Sequence, residues 1–145
     1  MADDQIVDVT ITADDPEWLA GFARSLVADR LAACGNIIPG VRSIFRWQGE
    51  IDDEAETLLV LHTRASLVPR IIERADAEHP YDTPQVLALP VAAAHPGYLR
   101  WVLAETRGAH ETGESASDSV VDADLARTEN SARTEDSVGG TAEGE

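Results

Sequence analysis

The sequence predicts an α+β domain of the ferredoxin-like, split βαβ type, with an antiparallel sheet, a long central hairpin and a short C-terminal helix. Two observations carry this prediction. Strand, helix and strand patterns occur twice in succession between Gln5 and Val91, and two long extended segments are joined by a tight turn at Gly49-Glu50. Such a pair of units most often folds with both main helices on one face of the sheet.

The first unit begins with a strand and continues into a helix. Residues 5–12 alternate Ile and Val with polar residues, the pattern of a half-buried strand. One of the next two aspartates can cap a helix whose first turn suits Pro16. Apolar residues at helical spacing extend this helix to a predicted stop at Gly35, with the following residues on its buried side: Leu19, Phe22, Ala23, Leu26, Val27 and Cys34.

The hairpin that follows is the longest feature of the chain. Its first strand contains Pro39-Gly40, which predicts a bend or bulge. Arg42 and Arg46 share one face of this strand, while Trp47 lies on the other. The return strand is acidic first and apolar afterwards. Because the hairpin is longer than a domain of this size needs, part of it is predicted to pair with another copy of the chain.

The second unit repeats the order of helix and strand. Ser66 is predicted to cap a helix whose apolar stripe reaches His79 before Pro80 ends it. Residues 85–91, QVLALPV, form a nearly continuous apolar run, which is typical of a strand covered on both faces. A short third helix follows over residues 97–106. Since only this helix is left to cover the second sheet face, the pattern favours a homo-oligomer.

A change of composition divides the chain into a domain, residues 1-107, and a tail, residues 108-145. The tail holds ten acidic residues and two arginines, and large apolar residues are rare in it. Such a segment cannot bury enough apolar surface to offset the entropy lost on ordering. We therefore expect an acidic, disordered tail.

The charge of the chain restricts its partners and its setting. The net charge is -16, and all 11 basic residues are arginine. Nucleic acids and anionic membranes are excluded as partners, because phosphate contacts require clustered cations. An acidic surface without lysine is expected of a protein kept in solution at high salt, so the predicted setting is a halophilic cytoplasm. The acidic start MADDQ and the lack of a long apolar run predict neither a secretory signal nor a membrane span.

Residue patterns for catalysis are missing from the sequence. The single cysteine excludes an internal disulfide and a cysteine cluster for zinc. The sequence contains no glycine-rich phosphate loop and no nucleophile with a base in a known spacing. It therefore predicts a protein that is not an enzyme.

Several motifs in order resemble the CutA divalent-cation-tolerance family, over about Val7 to Arg107: RLAACGNIIPGVRSIFRWQGEI, LLVLHTR, HPYDTPQVLALPV and GYLRWV. The resemblance implies a ferredoxin-like subunit in a homotrimer, an architecture shared with nitrogen-signalling P-II proteins. It also implies a role in tolerance to metal ions, with copper(II) or another divalent cation bound weakly and no cofactor required for folding. The protein partner, if the chain has one, is left open.

The resemblance assigns the metal ligand to His79, in the His-Pro-Tyr motif. The other proposed donors of the family are a cysteine after the first strand and an acid after the next proline. Those positions hold Ala13 and Gln85 in this chain, so the histidine alone matches. Tyr81 and Trp47 are candidates for the surrounding pocket.

Two other functions stay open at this point. The first is a P-II-like trimeric sensor that binds a small anion between subunits through Arg42, Arg46 and His62. The second is a trimeric scaffold that displays its acidic tails to a protein partner. Cys34 is a soft metal donor in principle, but its predicted place on the buried helical stripe favours a core cysteine.

Overall fold

The chain folds as an α+β sandwich on a four-stranded antiparallel sheet, which confirms the predicted class at that level. The structure is a computed structural model that describes residues 5–109. Within that range the elements are β1 (Ile6–Ala13), α1 (Pro16–Ala28), β2 (Cys34–Trp47), β3 (Glu50–Arg64), α2 (Val68–Glu78), β4 (Val86–Pro90) and α3 (Pro96–Glu105).

The sheet has the strand order β2-β3-β1-β4, and every neighbouring pair is antiparallel. This is the order of a split βαβ sandwich. Helices α1 and α2 pack on the same face of the sheet, in one buried cluster that includes Val9, Ile11, Leu19, Leu61 and Ile71. We call this side the helix-covered face.

Helix α1 ends at Ala28, earlier than the sequence predicts. The reason is the backbone of Arg30, which adopts the left-handed conformation with φ 59°. The Leu31 N–H then donates to the Leu26 carbonyl (2.9 Å), and the Arg30 N–H donates to the Val27 carbonyl (3.1 Å). These two bonds form a Schellman cap, in which arginine occupies the position where glycine is most common.

The chain enters the sheet soon after this cap. Cys34 is the first residue of β2 and is partly buried, so its predicted place on the helix is wrong. Gly35, predicted as the helix stop, lies on the helix-covered face of β2. A Cβ atom there would come within 3.1 Å of Leu59 Cδ1 and 3.4 Å of the Ala23 Cβ. Glycine therefore allows α1 and the sheet to approach closely.

The hairpin of β2 and β3 extends well beyond the other strands. A bulge confirms the bend predicted at Pro39-Gly40. The turn is made by Gln48-Gly49, one residue earlier than predicted, and both residues have positive φ, as a two-residue hairpin turn requires. Strand β1 stops pairing with β3 at Thr57. Residues 41–56 therefore form a two-stranded ribbon, the hairpin arm, with no further strand beside it in the described part of the chain.

One prediction for the second unit is wrong, and a second is not met within one chain. Ser66 lies in a 3₁₀ turn, Ala65–Leu67, and the N-cap of α2 is Leu67, with no side-chain cap. Strand β4 is an edge strand, and a single chain does not cover both of its faces, because Leu87 and Leu89 are 56% and 49% exposed. Both leucines pair with β1 positions that point away from α1 and α2.

The sheet side opposite α1 and α2 is largely uncovered, and we call it the open face. Helix α3 covers one end of it, where Val102 packs with Ile6 and Ala33. The side chains of the open face alternate with those of the core along all four strands: Asp8, Thr10, Cys34, Asn36, Ile38, Leu58, Val60, His62, Leu87 and Leu89. Apolar and polar groups thus share a surface that the described part of the chain does not bury.

Most of the predicted tail, residues 108-145, lies outside the described residues. Its first two residues, Gly108 and Ala109, form a turn beside the domain. Ala109 packs against the core, and its carbonyl accepts a hydrogen bond from Arg70 (2.6 Å). None of the helices in the described range is long and apolar enough to cross a membrane.

Candidate functional site

His79 ends α2 and turns its ring into the interior. The residue before a proline is held in extended backbone, and His79 has φ -66° and ψ 139°. Its Nε2–H donates to the Thr12 carbonyl (2.8 Å), and its Nδ1 accepts from the Tyr81 N–H (2.9 Å). The side chain is buried, with the ring of Trp18 at 4.8 Å. Because the backbone engages both ring nitrogens, no lone pair is free for a metal ion in this arrangement.

Two carboxylates lie near the same turn. The Tyr81 hydroxyl donates to Glu56 Oε2 (3.2 Å) at the base of the hairpin arm. Burial raises the pKa of Tyr81 to about 12, and the charges of Glu56 and Asp14 add to the shift. The phenol is therefore a neutral donor at physiological pH. We call the group of Asp14, Glu56, His79 and Tyr81 the His79 corner.

Trp47, the other predicted pocket residue, lies far from this corner within one chain. It pairs with Glu50 at the hairpin turn and is 50% exposed. Glu56, which contacts Tyr81, pairs with Val41. The two positions are six residues apart along the strand, which is about 20 Å at ~3.3 Å per residue. One chain therefore does not bring Trp47 and Tyr81 into one pocket.

The predicted anion site is also not assembled within one chain. Arg42 makes a two-bond ion pair with Asp53, at 2.8 and 2.6 Å, and both side chains are exposed. This pairing lowers the pKa of the Asp53 carboxyl and raises the pKa of Arg42. Arg46 follows on the same face of the arm. His62 lies on the open face, on the other side of the sheet.

The open face carries a second group of polar side chains, at the end that α3 borders. His62 Nδ1 lies 2.6 Å from Asp8 Oδ1, and its Nε2 lies 2.8 Å from Asn36 Oδ1. The Asn36 amide nitrogen is 4.0 Å from Cys34 Sγ. The Tyr98 ring stands edge-on to His62 with centroids 6.1 Å apart. We call these five residues the open-face polar cluster.

Two opposite effects act on the pKa of the Cys34 thiol in this cluster. Burial raises the pKa of Cys34, while a hydrogen bond from the Tyr98 side chain acts in the opposite direction. Burial also raises the pKa of Tyr98 to about 12, with Cys34 and Asp8 contributing. Both groups are therefore protonated near neutral pH.

Sequence reasoning missed this cluster, because it placed Cys34 on a helix. The available signal was the alternation of polar residues along the strands: Asp8 in β1, Asn36 after Cys34 in β2, and His62 in β3. Neither this cluster nor the His79 corner is a complete metal site. Among residues 5–109, no three His, Cys, Asp or Glu side chains are grouped so that they could hold a metal ion.

These features define a split βαβ protein with one helix-covered face, one open face and a projecting hairpin arm. The CutA1 divalent ion tolerance protein family matches residues 7–105. Over 98 residues the chain is 44% identical to the divalent-cation tolerance protein CutA of Thermus thermophilus, covering 68% of this chain and 95% of that protein. The chain therefore belongs to the CutA1 family, as its motifs indicate.

Two plant relatives extend the comparison. The chain is 39% identical over 99 residues to the chloroplastic protein CutA of Arabidopsis thaliana, covering 68% of this chain and 54% of that protein. The chain thus spans about half the length of that relative. The crystal structure of CutA1 from Oryza sativa superposes with a TM-score of 0.69 at 38% identity, covering 71% of this chain and 94% of the other.

Proposed function

We propose that this chain acts in tolerance to metal ions by binding copper(II) or another divalent cation weakly, as a homotrimer in a halophilic cytoplasm. The observation that carries the proposal is the family match over residues 7–105, which includes the His-Pro-Tyr motif at His79. The family's other two donor positions, Ala13 and Gln85, do not fit a metal ion, so the chain must use other donors.

The His79 corner supplies the best donors for such a cation. Glu56 and Asp14 both lie near Tyr81, and copper(II) accepts imidazole and carboxylate ligands. His79 can contribute Nδ1 once the Tyr81 N–H moves away from it, since Nε2 is held by Thr12. A site that must break a hydrogen bond to form, and that needs further donors from water or a second chain, binds weakly.

The open face supports assembly into a homotrimer. Leu87 and Leu89 belong to a run with the composition of a fully covered strand, yet in one chain both are exposed. Ile38, on the same face, is 45% exposed. Exposed apolar residues on both edge strands of one uncovered face favour a protein–protein contact there.

The proposed assembly is tested by light scattering during gel filtration in concentrated KCl. The native chain is expected at three times the 15.6 kDa of one chain. Leu87→Asp is expected to lower the mass, whereas Ile72→Asp is its control, because Ile72 is an exposed apolar residue of α2. A native mass of one chain would overturn the homotrimer.

The metal proposal is tested by calorimetric titration of copper(II) into the full chain carrying Cys34→Ser, because copper(II) oxidises free thiols. Saturable binding is expected, and His79→Gln is expected to abolish it. Glu56→Gln should weaken binding by more than about tenfold, because a carboxylate ligand is lost. The matched controls, Glu54→Gln on the same face of the arm and His110→Gln, should leave it unchanged.

Two results would overturn direct binding at the His79 corner. One is the absence of saturable binding, and the other is binding that both His79→Gln and Glu56→Gln leave intact. Circular dichroism shows whether a variant that does not bind copper(II) is still folded. If His79→Gln does not fold, the result for Glu56→Gln decides the test.

The halophilic setting is tested by thermal unfolding at increasing KCl concentration. Because the net charge is -16 and no lysine is present, salt should screen repulsion and raise the melting temperature steadily. A melting temperature that does not change with KCl would contradict this part of the proposal.

A further inference from the structure

Three ionisable side chains form one row across the open face. His62 of β3 pairs directly with Asp8 of β1 on one side and with Cys34 of β2 on the other. Directly paired residues of neighbouring strands place their side chains on the same face, about 4.5–5.5 Å apart at the Cβ atoms. The row thus runs from carboxylate to imidazole to thiol.

The imidazole in this row is oriented as a metal-binding histidine is. Asp8 Oδ1 accepts from His62 Nδ1 at 2.6 Å, which directs the other nitrogen, Nε2, toward β2. A histidine that binds a metal through one ring nitrogen usually donates a hydrogen bond from its other ring nitrogen to a carboxylate. This carboxylate fixes the orientation of the ring and increases its basicity as a ligand. The thiol belongs to the same strand, β2.

The Asn36 amide separates these two donors. Its oxygen is 2.8 Å from His62 Nε2, and its nitrogen is 4.0 Å from Cys34 Sγ. Asn36 is exposed in a single chain, so its side chain can turn away from His62 without leaving a buried polar group unpaired. The Tyr98 side chain hydrogen-bonds Cys34 from α3 and closes the cluster on that side.

We propose that Cys34 and His62 bind one soft monovalent metal ion, copper(I) or silver(I), between Sγ and Nε2, with Asp8 as positioning residue and the Asn36 amide displaced. Thiolate selects copper(I), and a d¹⁰ monovalent ion is satisfied by two donors in line. This agrees with the lack of a three-donor group in the described chain. The ligands are the Cys34 thiolate and the unprotonated Nε2 of His62, so the proton on Sγ, and any proton on Nε2, passes to solvent, and no electron is transferred.

The inference is independent of the copper(II) site proposed at the His79 corner, although it uses the face through which the homotrimer is proposed to assemble. It concerns another site, another oxidation state and other residues, so a failure of copper(II) binding at the His79 corner leaves it standing. Because Cys34 is the single cysteine of the chain, its substitution removes every thiol that could bind the ion.

The experiment is anaerobic competition for copper(I) between the full, reduced chain and a chromophoric copper(I) chelator. One copper(I) per chain is expected. Cys34→Ser should abolish binding, and His62→Gln should weaken it by more than about tenfold, because a ligand is lost. Asp8→Asn should weaken binding about tenfold, which is the usual effect of losing the carboxylate that orients a metal-binding histidine. Asn36→Ala should bind at least as tightly as the native chain, and His110→Gln is the control for loss of a histidine.

An affinity unchanged by His62→Gln would overturn the proposal, because the ion would then be held by a lone thiol. X-ray absorption at the copper edge of the native complex keeps the test decisive if His62→Gln does not fold. One sulfur and one imidazole nitrogen around copper would support the site. Two sulfurs, which would mean a bridge between chains, or no imidazole would overturn it.

Discussion

The two faces of the sheet use the same strands for different purposes. On the helix-covered face, Ile11, Leu59 and Leu61 are fully buried against α1 and α2. Their neighbours in the chain point to the open face, where Leu58 is half-buried and Leu87 is exposed. Alternation along a strand thus separates the residues that fold one chain from those available for binding.

The two histidines of the sandwich repeat this contrast. His79 belongs to the helix-covered side, and its ring is held by two backbone groups, the Thr12 carbonyl and the Tyr81 N–H. His62 belongs to the open face, and its ring is held by two side chains, Asp8 and Asn36. A histidine held by the backbone exchanges a partner only when the backbone moves, whereas one held by side chains exchanges it when a side chain turns.

The largest expected effect comes from two neighbouring leucines of β3. Leu59→Ala should lower the free energy of unfolding by about 2–5 kcal/mol, because it leaves a cavity under α1. Leu58→Ala, its matched control on the open face, should cost less, and its cost should depend on protein concentration if subunits cover that face. Urea unfolding at two concentrations measures both, and equal costs at the lower concentration would refute the contrast.

The second largest effect is the expected difference in stability between variants of the two histidines. His79→Ala should cost about 1–3 kcal/mol, because the buried Thr12 carbonyl loses its hydrogen bond from the ring. His62→Ala should cost less, since Asp8 and Asn36 are accessible to water. The measurement is urea unfolding of both variants in the same buffer. A larger loss for His62→Ala would reverse our assignment of the two roles.

Two glycines test how closely α1 packs on the helix-covered face. Gly35→Ala should destabilise by about 1 kcal/mol or more, since the new Cβ would lie 3.1 Å from Leu59 Cδ1. Gly21→Ala in α1 meets nothing within 4 Å and should stabilise by about 0.8–1 kcal/mol. Thermal unfolding should therefore move in opposite directions, and shifts of the same sign would show that the contact at Gly35 is not tight.

The smallest effect is expected on the hairpin arm. Arg42→Ala should return the pKa of Asp53 toward its ordinary value, because Arg42 is the main cause of its lowering. A lowered carboxyl pKa contributes stability above the ordinary pKa, and this is lost as pH falls through the lowered value. Since both groups are fully exposed, stability should barely change, and an NMR titration of the Asp53 carboxyl carbon is the measurement. An Asp53 pKa unaffected by Arg42→Ala would exclude the pairing in solution.

Much of the fold follows from the sequence itself. The order of strands and helices, the bulge at Pro39-Gly40 and the end of α2 before Pro80 are local features, set by periodicity and by proline. The motifs also indicated the CutA1 family before any contact was known. Local patterns suffice for such features, because each depends on residues within one or two turns of chain.

The tertiary structure decided where the functional side chains meet. The early end of α1 depends on a left-handed Arg30, which no glycine signals, and it moves Cys34 from a helix to the sheet. His79 is held by Thr12, 67 residues away in the chain. Asp8, Cys34 and His62 become one row only through the register of three strands. Register is set by pairing and packing between distant segments, so the polar alternation within each strand indicates a shared face but does not reveal which residues lie side by side.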